Sequence, residues 1–195
     1  GTLSETAIRK VIKFLSSGEE ALAEEVIKND SEINNIEHVI EDHCVRIIAT
    51  ESPVARDLRE IIASLKMSRD LERIGDYAAH VAKTIINLPH DHSDRSAKNI
   101  SKIGEVALTM LNDVLESYIE QKLDLAKDVI RRDDIIDTLY SQALHGLYQR
   151  LDNEPENANQ ITSLLFIYKS LERLSDHITH LGEEVVFICT GKRIE

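Results

Sequence analysis

Glu72, Asp76 and His80 stand four residues apart, and Glu172, Asp176 and His180 repeat that spacing a hundred residues later. Side chains four apart on a helix lie one above the next on a single face. Each set therefore forms a ladder of two carboxylates and an imidazole. Carboxylate oxygens take hard cations such as Mg²⁺ and Mn²⁺, and imidazole adds a preference for Fe and Zn. At about 1.5 Å rise per residue a ladder spans about 12 Å, which suits several cations better than one compact ion. At about 100° per residue its three members fall within about 80° of one another. Met67, Leu71, Ile74, Ala78, Val81 and Ile85 gather on the opposite side, as do Leu171, Leu174, Ile178, Leu181 and Val185 in the second copy. The acidic row is thus expected to face outward or into a groove while the helix packs by its back.

Pairs of acids alone mean little. With 35 Asp and Glu in 195 residues, random placement gives on the order of six pairs at this spacing. One copy on its own reads as a solvated face, with Arg69 and Arg73 in ion pairs that contribute only about 0–1 kcal/mol. Recurrence of the whole pattern, Leu-Glu-Arg-aliphatic-small-Asp followed by His, raises it above that background. Asp133 and Asp137 supply a second wall. They align with Asp30 and Asn34 in the first half, and would meet the ladders if the neighbouring helices pack antiparallel.

Other constellations are weaker. His38 and His43, with Glu37, Glu41 and Asp42, read as a solvated face. His90 and His92 read as loop residues. His177 and His180, three apart, share a face, but the counterpart of His177 is Tyr77. Tyr118, Tyr140, Tyr148 and Tyr168 read as packing residues. There is no Walker loop, no Gly-x-Ser-x-Gly and no His-Glu-x-x-His. No Glu has a His three residues later, which argues against a di-iron carboxylate enzyme.

The elements that must hold these residues follow from apolar periodicity. A first helix is expected from about Ser4, as N-cap, to Ser16. A second runs from Glu19 to about Thr50 through Leu22, Val26, Ile33, Ile36, Ile40 and Ile47. Glu51-Ser52-Pro53 breaks it. A third, about Val54 to Asn87, carries the first ladder. Leu88–Ser93 reads as a linker. Helices over about Asp94–Glu120 and Leu123–Leu151, a loop over Asp152–Asn157, and a last helix over about Asn157–Thr190 complete the chain, with Gly191 as its C′ residue. The halves align without gaps at an offset of 100 around the ladder (Ile61 with Ile161, Leu65 with Leu165) and of 103 in the middle helices (Asp30 with Asp133, Ile33 with Ile136). Duplication of a three-helix unit is the simplest account.

Composition agrees. Apolar residues make up 42% of the chain, and only three prolines and seven glycines punctuate it. A net charge of −12 argues against a nucleic-acid surface. Cys44 and Cys189 are expected to be buried free thiols. No stretch approaches the length of a membrane helix, and Thr2–Lys13 lacks the apolar run of a signal peptide. A soluble cytoplasmic protein is expected.

Ala55-Arg56-Asp57-Leu58-Arg59, Asp70-Leu71-Glu72-Arg73-Ile74-Gly75-Asp76 and Leu171-Glu172-Arg173-Leu174-Ser175-Asp176-His177, with Thr190-Gly191 closing the last helix, resemble the PhoU family. The resemblance covers nearly the whole chain, in two tandem copies, here bounded as residues 2–88 and 94–191. It implies an all-α fold of two tandem, pseudo-symmetric three-helix bundles. It implies a regulator of phosphate uptake and phosphate-starvation signalling, not an enzyme. The implied partners are the ATPase of a phosphate ABC transporter and a sensor histidine kinase, with a homodimer as the assembly. It also implies metal on the bundle surface, mapped onto Glu72 with Asp76, Glu172 with Asp176, Asp133 with Asp137, and Asp30. His80 and His180 stand where the family commonly has asparagine. As ligands they would favour Fe, Zn or Ni over Mg or Mn, whether the ion is divalent or trivalent. Asn34 stands where a second acid is usual, which would weaken the first site. A metal-free helical adaptor and a metal-dependent phosphate hydrolase are the rival readings.

Overall fold

The computed structural model describes residues 1–88 and 95–194. The expected linker therefore lies, from Pro89 onward, outside the described residues. Among the described residues six α-helices follow in chain order: α1 (Thr2–Ser17), α2 (Glu20–Glu51), α3 (Ala55–Ile86), α4 (Arg95–Glu120), α5 (Leu123–Asn153) and α6 (Ala158–Thr190). No strand occurs among the described residues. Gly18 and Gly191 end α1 and α6 in the left-handed region, at φ 70° and 72°, and their N–H groups close back on Phe14 O and Phe187 O. Glycine reaches that conformation without a Cβ penalty, which is why both helices stop there.

α1, α2 and α3 pack on one another, and α4, α5 and α6 do the same. The resulting three-helix bundles meet along α3–α6, the most extensive pairing in the molecule, and along α1–α4. One apolar core runs through both, from Ile8, Phe14 and Ile74 to Ile136, Leu174 and Ile178. Tyr77 and His177, a hundred residues apart, stack with ring centroids 5.7 Å apart and planes 27° apart. Equivalent positions meet in this way where a pseudo-twofold axis crosses the α3–α6 seam.

Several local expectations are corrected. Ser4 does not cap α1; Gly1 does, and Ser4 is buried inside the helix, its hydroxyl donating to Leu71 O at 3.0 Å. α5 continues to Asn153, and Pro155–Asn157 forms a 3₁₀ turn where a loop was expected. Ile36 and Ile47 are 45% and 40% exposed. The 16 residues of α1 reach only about half as far as the 32 of α2, so the far half of α2 has no third helix to cover it. Tyr148 is likewise exposed, whereas Tyr168 is buried and donates to Ser96 O at 3.2 Å. Both cysteines are free; Cys44 is buried and Cys189 half-buried.

Candidate metal centres

Helical packing brings the acids of neighbouring helices together twice. In the first half α2 lays Asp30 and Glu37 beside Glu72 and Asp76 of α3, near enough for the charges to act on one another. Burial first, and then the Asp76 charge, raise the Glu72 carboxyl above its usual range. The same two causes raise Asp30, against the opposing charge of Lys83. Arg73 reaches Glu72 at 3.4 Å and Asp76 at 3.1 Å, but it is half-exposed, so water screens what it contributes. Asp30 Oδ1 and Asn34 Oδ1 are buried and accept no hydrogen bond. A buried acceptor without a donor costs about 1–3 kcal/mol, so these oxygens are poised for a donor or a cation.

In the second half α5 lays Asp133 and Asp137 beside Glu172 and Asp176 of α6. Burial, followed by the Glu172 and Asp133 charges, raises Asp176. Burial, followed by Asp133 and Glu172, raises Asp137. Lys169 pairs with Glu172 at 2.6 Å and lies 5.5 Å from the centroid of the Tyr140 ring. Ser175 donates to Asp133 Oδ1 at 2.7 Å. The counterpart of Ser175 is Gly75, where a Cβ would stand 2.6 Å from Ile33 Cδ1. The close approach of Ile33 thus takes the space of a serine, and Asp30 loses the donor that Asp133 keeps.

The two clusters share a donor set of carboxylate oxygens with few bases among them. As a chemical type that set suits a hard or intermediate cation, but the carboxylates stand apart. Among the described residues the sets of three ligand atoms within 4.8 Å of one another are Asp70 with His177 and His180, and Glu37 with His38 and Glu41, neither drawn from a single acidic cluster. Glu37 is the member that the sequence reading assigned to a solvated face. It is only 8% exposed, and its charge acts on Glu72. Its signal was available: Glu37 follows Asp30 by seven residues, two helical turns on the same stripe. With Glu37 the first cluster carries four carboxylates, as the second does.

The third rungs behave differently. His80 Nδ1 lies 2.8 Å from Ser170 Oγ on α6. His180 Nδ1 lies 3.6 Å from Asp70 Oδ1 on α3, and His177 Nδ1 lies 2.7 Å from the same oxygen. Both ladder histidines thus engage the facing helix of the α3–α6 seam, a further 40° or so round from Asp76 and Asp176. Burial works to raise the Asp70 carboxyl, but the hydrogen bond from His177 and the nearby His180 ring outweigh it and hold Asp70 below its usual range. The neighbouring Asp70 carboxylate raises His180.

Two like three-helix units in tandem, each with acids converging from its last two helices, define a duplicated helical-bundle protein of the PhoU class. The PhoU domain model matches residues 1–85 and again 100–185, and the chain belongs to that family. Over 196 residues it is 35% identical to a protein of Clostridium acetobutylicum named phosphate-specific transport system accessory protein PhoU homolog, covering 100% of this chain and 90% of that one. A Rhizobium meliloti protein of the same name is 32% identical over 98% of this chain and 81% of its own. The crystal structure of PhoU from Pseudomonas aeruginosa superposes with a TM-score of 0.91 at 31% identity, over 98% of this chain and 92% of that one. That of the phosphate transport system regulatory protein PhoU from Streptococcus pneumoniae gives 0.92 at 28% identity, over 100% and 92%.

Proposed function

We propose that this protein is an accessory regulator of phosphate-specific transport that works by binding partners rather than by turnover. Support comes from relatives named phosphate-specific transport system accessory protein PhoU homolog over nearly the full chain, and from the fold neighbour named phosphate transport system regulatory protein PhoU. The partners implied are the transporter's ATPase and a sensor histidine kinase, met on the cytoplasmic side by a homodimer of this chain. No helix among the described residues is long and apolar enough to cross a membrane.

One observation carries the metal part of the reading: carboxylates converge from adjacent helices twice, and in the first cluster a buried Asp30 oxygen has no donor. Asp30, Glu37, Glu72 and Asp76 would hold one set of ions, and Asp133, Asp137, Glu172 and Asp176 the other. Such oxygen sets suit Mg, Mn or Fe, whereas Zn and Ni draw more on imidazole. A bound cation removes the repulsion between α2 and α3, and between α5 and α6. It thereby steadies the faces those helices offer to a partner.

The test is complementation. Deleting the gene should leave the phosphate-starvation response switched on in phosphate-rich medium, and the wild-type gene should switch it off again. A variant carrying E72Q, D76N, E172Q and D176N should fold and fail to restore control. An unaltered response on deletion would reject the regulatory role. Full complementation by the quadruple variant would reject the metal part and favour the metal-free adaptor.

A further inference from the structure

We propose that Asp70, His177 and His180 form a separate transition-metal site of Zn²⁺ type at the seam between the two halves. Asp70 comes from α3 and both histidines come from α6. One ligand atom from each of the three lies within 4.8 Å of the others. A tetrahedral ion with ligands at about 2.0 Å spreads its ligand atoms about 3.3 Å apart. The two distances measured to Asp70 Oδ1, 2.7 and 3.6 Å, fall on either side of that value. One imidazole would be enough to pair the carboxylate. Here two are aimed at the same oxygen, edge to face, with ring centroids 5.5 Å apart. Two imidazoles and a carboxylate on three sides are the protein ligands of an open zinc site, whose fourth position takes water. Asp70 and His180 both line an open cleft of about 450 Å³ with Lys66, Arg69 and Arg193, so that fourth position is reached by solvent.

The pseudo-twofold axis provides an internal comparison. The equivalent positions on the other side of the seam hold Ser170, Tyr77 and His80, where His80 simply contacts the Ser170 hydroxyl at 2.8 Å. Only one side of the seam therefore has a ligand set. The other side shows which residues pack in its place. An ion on Asp70, His177 and His180 would tie α3 to α6, and so one bundle to the other. This site shares no ligand with the eight carboxylates of the two acidic clusters.

Co²⁺ is the probe, because an N/O site of low coordination number gives it intense visible bands and an all-oxygen octahedral site does not. Purified protein, stripped with chelator and titrated with Co²⁺, should show intense bands whose limiting amplitude corresponds to one bound ion per chain and that Zn²⁺ abolishes. Asp70→Ser and His177→Tyr copy the equivalent residues across the axis. Each should lose the bands and weaken Co²⁺ binding at the site by more than about tenfold, since even loss of a residue that only orients a ligand costs 10–100-fold. His180→Asn, at the more exposed position, should do the same. The quadruple variant of the acidic clusters should keep the bands, which separates this site from those clusters. Wild-type protein without intense bands would overturn the proposal. So would bands that survive in folded Asp70→Ser and His177→Tyr, or bands lost with the acidic clusters.

Discussion

Asp30→Asn removes one charge from the first acidic cluster and leaves its shape almost unchanged. In protein stripped of metal, the native side chain is a carboxylate with one buried oxygen that accepts no hydrogen bond. Burial and the neighbouring Asp76 charge both work against its ionisation. The amide relieves the repulsion and puts an N–H₂ donor among acidic neighbours. Taking the cost of an unpaired buried acceptor as about 1–3 kcal/mol, the variant should gain about 1–2 kcal/mol when chelator is present. For a chain of this size that raises Tm by about 2–8 °C. Metal reverses the sign. An ion at about a hundred times its Kd stabilises the folded state by about 2.7 kcal/mol, and a tenfold loss of affinity removes about 1.3 kcal/mol of that. Thermal unfolding followed by circular dichroism, with chelator and then with Mn²⁺ or Fe²⁺, reads both effects. The variant should melt above wild type in chelator and gain less from metal. A variant that melts below wild type in chelator, or gains as much from metal, would show that Asp30 is an ordinary solvated acid and refute the reasoning.

Asp30, Glu72, Asp137 and Asp176 all have carboxyls raised by burial and like charge, so the folded state keeps protons that the unfolded chain has released. Stability of the stripped protein should therefore fall as pH rises from the usual carboxylate range through the raised folded values, and denaturant midpoints should be higher near about pH 5 than near about pH 7. Ile178 is fully buried in the core; Ile178→Ala should cost about 2–5 kcal/mol in urea unfolding. At Gly182, where α6 crosses α5, an added Cβ would stand 3.0 Å from Ile130 Cγ1 and 3.3 Å from Ala126 O. Gly182→Val should cost about 1–3 kcal/mol by the same assay, because the carbonyl cannot swing aside as a side-chain tip can.

The helices, the duplication and the acidic rows set opposite an apolar back could be read from the chain alone. Those features depend on local periodicity: an apolar back and a polar front are properties of one helix and its own residues. Ile74, Ala78, Val81, Leu174, Ile178 and Leu181 are buried, as the spacing implied. The convergence of Asp30 on Glu72, and of Asp133 on Glu172, followed from assuming that neighbouring helices pack side by side. Glu37 was misread because apolar periodicity does not say where a polar residue in the same stripe ends up. Ser4 was misread because a serine near a helix start caps it only when nothing else takes its hydroxyl, and here Leu71 O does.

The histidines mark the boundary between the two kinds of knowledge. Sequence alone determined that Glu72, Asp76 and His80, and their copies, share one side of a helix. It could not determine which neighbour each part of that side would face. The arc from Glu72 to His80 is wide enough to span two contacts. One end meets the acids of α2 or α5, and the other meets the facing helix of the α3–α6 seam. That seam joins residues a hundred positions apart, by a pseudo-twofold packing that no local pattern encodes. Only the tertiary structure therefore placed His180 with Asp70 and His177, and stacked Tyr77 on its own counterpart.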